Sequence, residues 1–166
     1  MKATPIVLLV LVGSLGDARA DAGAQFDTLK ALAGAWTGVA VGHGPSGKMP
    51  TRATYRVVSG GSAVMLTTDP GTKHEMVTLF HRDDDGLMAT HYCAAQNQPR
   101  FRAQPSQDGK RLVFEFLDGT NLGAHPARME RLVIRVSDRN HHTQEWTYKD
   151  GDQETTMRFE LARRKG

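Results

Sequence analysis

His91 and Cys93 are the residues of this sequence best suited to chemistry, because an imidazole and a thiol stand two positions apart in an apolar run. Side chains at i and i+2 of a strand point to the same face, and a four-residue hairpin loop at 83–86 would bring His74 and Met76 to that face. Such a set suits a soft metal such as Cu(I), or an imidazole-ligated iron. A hairpin that closes one residue differently would turn this face away from His91. The alternatives are therefore a hydrogen-bonded histidine that lines a pocket, or plain packing.

A Cys–His nucleophile pair is the catalytic version of the same set. A thiolate nucleophile needs an imidazole within hydrogen-bond reach, whereas i and i+2 side chains of one strand lie about 6–7 Å apart. The sequence has no Gly-x-Ser-x-Gly or His-Glu-x-x-His pattern. We therefore predict no catalytic residue, no metal and no cofactor, and an enzyme that uses His91 and Cys93 is the least favoured class.

Amide and guanidinium groups are dense in the segment 95–100, which contains a proline. At the mouth of a barrel such groups would orient the polar end of a ligand, while aromatic side chains line an apolar interior. The alternative is that the amide side chains satisfy backbone groups of the turn itself. The candidate ligand-binding residues are His74, His91, Cys93, Asn97, Gln98, Arg100, Tyr55 and Trp146.

Short apolar runs separated by Gly-, Asp- and Asn-containing turns make up the chain after residue 34, and they predict strands. The candidate strands are 35–41, 51–59, 62–68, 74–82, 87–95, 100–104, 111–117, 128–137, 142–148 and 154–163. Residues 129–136 also have helical spacing, but their β-branched run favours a strand. Phe26, Leu29 and Leu32 predict one short helix before the strands. His141 and His142 fall in a turn and are expected to be exposed.

No connection between these strands is long enough for a crossover helix, so neighbouring strands are expected to pair antiparallel. The pattern predicts an all-β fold, an antiparallel up-and-down β-barrel of about 8–10 strands with a short N-terminal helix, because closure removes exposed sheet edges. A β-sandwich is the competing architecture. A barrel of this size has room for its own side chains and one small ligand.

The chain of 166 residues carries a formal net charge of +3 and a single cysteine. That charge is too small and too scattered to indicate a nucleic-acid partner, and one cysteine cannot form an internal disulfide. Residues 1–20 read as a signal peptide, with a basic start, a short apolar run and Ala-x-Ala before the cut. We therefore predict a periplasmic or secreted protein, without membrane insertion once the signal peptide is removed.

The segment around Gly34 and Trp36 resembles the Gly-x-Trp opening of lipocalin-like (calycin) barrels. This resemblance implies that Trp36 plugs the base of the barrel and that an arginine late in the chain, here Arg163, covers it. The run 90–100, with its His-Tyr-Cys and Asn-Gln-Pro elements, is similar to an exported bacterial lipocalin-like family of uncharacterised function. The resemblance implies that residues 21–166 form one lipocalin-like β-barrel domain.

These observations predict an exported barrel that binds one small apolar or amphipathic molecule, through a polar rim and an apolar interior. The alternative is a non-catalytic structural or interaction protein of the cell envelope, whose barrel is filled by its own side chains. Cavity volume separates the two, because a pocket below roughly 300 Å³ counts against a drug-sized ligand.

Overall fold

The computed structural model describes residues 17–42, 47–106 and 109–165. Most of the predicted signal peptide lies outside these residues, so export stays a prediction. One α-helix, α1, spans Asp17–Ala31. Ten strands follow it: β1 (Gly34–Val41), β2 (Lys48–Val58), β3 (Ala63–Thr68), β4 (Met76–Asp83), β5 (Gly86–Tyr92), β6 (Gln98–Ala103), β7 (Arg111–Thr120), β8 (Arg128–Asp138), β9 (His141–Asp150) and β10 (Gln153–Arg163).

The ten strands form a closed barrel in which every strand pairs antiparallel with its neighbours in the chain. β1 also pairs with β10, where Trp36 lies opposite Arg163, and this pairing closes the sheet. The predicted up-and-down barrel is confirmed, and the closed sheet excludes the sandwich. Residues 129–136 belong to β8, which pairs with β7 and β9. The β-branched run therefore predicted the correct element, a strand, in place of the helix.

Helix α1 covers one end of the barrel, which we call the base. Phe26, Leu29 and Leu32 are buried in the same core cluster as the strand residues, and α1 contacts β2, β4 and β5. The opposite end, where β1–β2, β3–β4, β5–β6, β7–β8 and β9–β10 connect, is called the mouth. Within the described residues, no helix combines the length and apolar character that crossing a membrane requires.

The β4–β5 hairpin decides which side chains share a face with His91. Asp83 pairs with Gly86, Arg82 with Leu87 and Thr78 with His91. Only two residues form the loop, and Asp84 adopts a positive φ of 49°, a conformation that aspartate tolerates in tight turns. Arg82 and Leu87 thus pair as one of the two predicted registers requires, and His91 points into the barrel.

Inward-facing side chains fill most of the barrel between base and mouth. Leu66, Phe80 and Phe114 are fully buried, and burying side chains of this size contributes about 1.5–3 kcal/mol each. The Phe80 and Phe114 rings pack with centroids 5.2 Å apart. This packed core fills the barrel below the mouth.

Candidate functional site

His91 is an interior histidine with one free nitrogen. Its Nδ1 shares a 2.8 Å hydrogen bond with the Thr78 hydroxyl, and its ring lies 4.8 Å from the Trp146 ring, centroid to centroid. Nε2 is buried without a hydrogen-bond partner in the described part of the chain. Burial lowers the pKa of His91 to about 4, so the imidazole is neutral near pH 7. A neutral imidazole with a free nitrogen can hydrogen-bond a ligand.

Two members of the proposed soft-metal set, His74 and Cys93, lie outside the paired strands, whereas Met76 begins β4. β4 begins only at Met76 and β5 ends at Tyr92, so His74 lies in an exposed turn, and the half-buried Cys93 lies just beyond the end of β5. The chain leaves the ladder because Gln96 donates its N–H to the Cys93 carbonyl at 3.0 Å. Among the described residues, no three His, Cys, Asp or Glu side chains are grouped so that they could hold a metal ion.

Cys93 is a half-buried thiol that packs against the core cluster. Burial raises its pKa, and backbone N–H groups of Ala94 and Ala95 partly offset this rise. A raised pKa keeps the sulfur protonated near pH 7, and a protonated thiol is a weak nucleophile.

The amides of the predicted rim bind neighbouring groups of the protein. Asn97 is fully buried, and its Nδ2 donates to the carbonyls of His125 at 2.7 Å and Ala127 at 2.8 Å. The Gln98 Oε1 accepts a 2.6 Å bond from the Thr120 hydroxyl. The Asn97 contacts tie the β5–β6 connection to the β7–β8 connection, and the Gln98 contact joins β6 to β7.

Arg100 lies on the outer face of β6. Its Nε and Nη2 donate to the two carboxylate oxygens of Asp118 at 2.6 and 2.5 Å. Arg100 also holds the pKa of the Asp118 carboxyl below its usual range. The register of β6 against β7 shifts between Arg100 and Phe101, and Phe101 points into the core. Arg100 therefore pairs with a neighbour outside the barrel instead of lining its interior.

A chain of buried hydrogen bonds crosses the barrel interior near the base. The Trp146 Nε1–H donates to the Gln144 Oε1 at 2.9 Å, and the Gln144 Nε2 donates to the Tyr55 hydroxyl at 2.8 Å. The Tyr55 hydroxyl lies 3.3 Å from the His142 Nε2. This order of donors makes His142 Nε2 the acceptor of the Tyr55 O–H. Tyr55 and Trp146, two predicted ligand residues, thus also hold each other through Gln144.

The expectation that His142 is exposed was wrong, whereas His141 is exposed. β9 begins at His141, so its second residue faces inward and is 1% exposed. Burial, and then the positive charge of Arg163, lower the pKa of His142 to about 4. The turn is one residue shorter than the sequence suggested, and strand alternation then buries His142.

Trp36 and Arg163 meet at the base. The guanidinium carbon lies 4.3 Å from the centre of the indole ring. Arg163 Nη1 and Nη2 donate to the carbonyls of Ala33 at 2.6 Å and Ala31 at 2.9 Å. The Trp36 Nε1–H donates to the Leu32 carbonyl at 2.8 Å. Together these contacts attach the C-terminal end of α1 to the first and last strands.

Gly34 precedes this contact and has a φ of 135°, where residues with a Cβ are strained. A Cβ at this position would also lie 2.7 Å from the Arg163 Nη1. The glycine therefore allows the chain to turn from α1 into β1 directly beneath the guanidinium.

A cavity of about 150 Å³ opens at the mouth. Three of its side chains are the thioethers of Met49, Met76 and Met157, which come from β2, β4 and β10. The described residues that line it are Ala40, Met49, Pro50, Thr51, Asp69, His74, Met76, Ala94, Met157 and Phe159. Its volume matches that of cavities that bind a benzene-sized molecule in other proteins, and it is below the roughly 300 Å³ that a drug-sized ligand needs.

Only His74 of the predicted ligand residues lines this mouth cavity. The methionines and Phe159 could have been found from strand alternation, because each lies two or four positions from another inward-facing residue of its strand. Asp69 carries no such signal, since an aspartate between Thr68 and Pro70 is typical of a turn.

The sequence matches no protein-family model and no curated protein. The fold is similar to the crystal structure of Rv2717c from M. tuberculosis, with a TM-score of 0.61 and 14% sequence identity. The similarity covers 85% of this chain and 98% of that chain. At this level of identity it shows that the barrel architecture is shared.

Proposed function

We propose that this protein is an exported, lipocalin-like binding barrel that holds one small apolar or amphipathic molecule at its mouth. The mouth cavity is the observation that carries the proposal. Its walls combine apolar side chains with the polar groups of Thr51, Asp69 and His74, and ligand sites commonly have this composition. The proposal includes no nucleic-acid partner and no membrane insertion.

Three methionines suit the mouth cavity to this role. Met49, Met76 and Met157 are each partly buried, and their unbranched, polarizable side chains adapt to ligands of different shape. Ala40 pairs with Met49 on one side and with Phe159 on the other. The small side chain of Ala40 leaves space between these two larger neighbours, and a ligand fits into that space.

His91 supplies a second polar group further inside the barrel. Thr78 lies opposite His91 and follows Met76 by two residues on the same inward face. His91 is not among the residues that line the mouth cavity, so a ligand reaches its free Nε2 only by extending below Met76. Buried polar atoms are rarely left without a partner, so this nitrogen favours a ligand with one polar group.

The second candidate function is a structural or interaction protein of the envelope with a filled barrel. The buried aromatic side chains and the internal bonds of Asn97 and Gln98 favour it. It predicts that the mouth cavity binds nothing.

Native mass spectrometry of the protein expressed with its own signal peptide tests the proposal. We expect a reproducible added mass that is reduced when Ala40→Leu fills the mouth cavity. Ala63→Leu is the matched control, because Ala63 alternates with the buried Val64 and thus lies outside the barrel. Bare protein in both the wild type and the control would support the filled-barrel alternative.

A further inference from the structure

We propose that the ligand of the mouth carries a protonated amine, and that Asp69 binds this ammonium group. The inference rests on the proposed ligand site at the mouth and names the chemical class of its ligand. It is carried by one carboxylate of the mouth cavity, which the fold holds in place by one oxygen.

The backbone of Asp69 is fixed from both sides. Its N–H donates to the Arg52 carbonyl at 2.8 Å, and its own carbonyl accepts a 2.9 Å bond from the Thr72 hydroxyl. Asp69 has a φ of 47°, which is uncommon for a residue other than glycine and persists only where the surroundings enforce it. The β3–β4 connection therefore presents this side chain in one orientation.

The Asp69 side chain is held by Oδ1 alone. This oxygen accepts bonds from the Thr51 hydroxyl at 2.9 Å and from the Arg52 backbone N–H at 3.0 Å. Within the part of the chain that the structure describes, no hydrogen bond or ion pair involves Oδ2. An ionised carboxylate accepts bonds at both oxygens, so Asp69 keeps an unused acceptor and a negative charge while it lines the mouth cavity.

Among the described residues that line the mouth cavity, Asp69 is the only carboxylate. Glu75 lies nearby and its Oε2 accepts the Gly71 N–H, but Glu75 does not line the cavity. The Arg52 guanidinium donates to the Pro70 carbonyl at 3.4 Å. A carboxylate in a partly enclosed apolar site favours a cation, because water screens it less there than at the open surface. An ammonium group supplies both the charge and the hydrogen-bond donors.

The rest of the mouth cavity selects the body of the ligand. Met76, Met157 and Phe159 form its apolar wall, and thioether sulfurs make favourable contacts with aromatic rings. A volume of about 150 Å³ admits a single ring with a short arm. The ligand class is therefore a small primary amine with an aromatic or compact aliphatic body.

Three probes of nearly equal size test this inference: benzylamine, benzyl alcohol and benzoate. We expect wild-type protein at pH 7 to bind benzylamine at least tenfold more tightly than benzyl alcohol, and benzoate most weakly. Dissociation constants are measured by NMR titration of protein with ¹³C-labelled methionine methyl groups. The preference for the amine should decrease at high salt, since the contact is partly exposed.

Asp69→Asn is the central variant, because asparagine keeps the Oδ1 acceptor for Thr51 and Arg52 while it removes the charge. It should abolish the tenfold preference for benzylamine and change the affinity for benzyl alcohol by less than twofold. Glu75→Gln removes a neighbouring charge that does not line the mouth cavity, and it should leave the preference unchanged.

Equal binding of benzylamine and benzyl alcohol by the wild type would overturn the amine inference and leave the proposed ligand site intact. Absence of any shift at Met76 and Met157 with all three probes would overturn both. The wild-type comparison needs no variant, so it decides the inference even where Asp69→Asn fails to fold.

Discussion

Protonation of His91 and His142 will destabilise the barrel as the pH falls from 7 to 4.5. Burial lowers the pKa of both imidazoles from 6.5 to about 4. The unfolded chain therefore takes up protons near pH 6.5, whereas the folded chain takes them up only near pH 4. Above pH 6.5 the two histidines do not lower the free energy of unfolding. As the pH falls from 6.5 towards 4, the unfolded chain takes up protons that the folded chain does not, so the free energy of unfolding falls.

The size of this loss follows from the two pKa values. At pH 4.5 the unfolded state gains about 2 kcal/mol over the folded state for each histidine, relative to pH 7. The two together remove about 4–5 kcal/mol, a large fraction of the roughly 5–15 kcal/mol that stabilises a typical domain. Protonating His142 would also leave its Nε2 unable to accept the Tyr55 O–H.

Urea unfolding followed by tryptophan fluorescence measures this effect directly. Trp36 lies 4.3 Å from the His142 ring and Trp146 lies 4.8 Å from the His91 ring, centroid to centroid. Each of the variants His91→Gln and His142→Gln should remove about half of the loss between pH 7 and 4.5.

His81→Gln is the matched control for these variants, because His81 is an exposed histidine of β4. It should leave the pH dependence of the unfolding free energy unchanged. If wild-type stability changes by less than about 1 kcal/mol over the interval, the two interior histidines are not held neutral and the reasoning fails.

Three further predictions concern the base and the rim. Arg163→Lys should lower the unfolding free energy by about 1–3 kcal/mol, because lysine cannot keep both the three hydrogen bonds that the guanidinium donates to backbone carbonyls and its stacking on Trp36. Arg164→Lys should change it by less than about 0.5 kcal/mol. Gly34→Ala should lower the unfolding free energy by about 1–3 kcal/mol, because alanine is strained at the positive φ of this position. Gly23→Ala, in a helix with open space around it, should raise the unfolding free energy by about 0.5–1 kcal/mol. Thermal unfolding tests both variants. Asn97→Asp should speed amide hydrogen exchange in residues 121–127 at least tenfold, because a carboxylate cannot donate to the two carbonyls that Asn97 binds. Unchanged exchange in these residues would show that Asn97 does not hold the β7–β8 connection in place.

The strands were predictable because their signals are local. Turn residues between apolar runs located all ten strands, whereas the register of the β4–β5 hairpin was left open between two alternatives until the structure paired Arg82 with Leu87. Interior histidines were harder to assign, since a single residue of strand length decides whether His142 faces inward or outward. The same uncertainty at the end of β5 placed Cys93 in a strand, whereas the strand ends at Tyr92.

The mouth cavity depends on contacts between distant parts of the chain, which spacing does not reveal. Met49, Met76 and Met157 come together only because β2, β4 and β10 reach the same end of a closed sheet. Asp69 looks like an ordinary turn residue until its bonds to Thr51 and Arg52 are seen. The dense polar segment predicted Asn97, Gln98 and Arg100 as ligand residues. Composition could not show that their side chains are already bonded to other groups of the protein.

The methionine methyl groups provide the most direct test of the proposed ligand site. After removal of the predicted signal peptide the chain keeps six methionines, of which Met49, Met76 and Met157 line the mouth cavity and the other three do not. A titration with benzyl alcohol should shift the first three resonances in a saturable manner and leave Met65, Met88 and Met129 unchanged. Ala40→Leu should abolish these shifts. Two results would contradict a binding site at the mouth: all six resonances stay fixed, or all six shift without saturation.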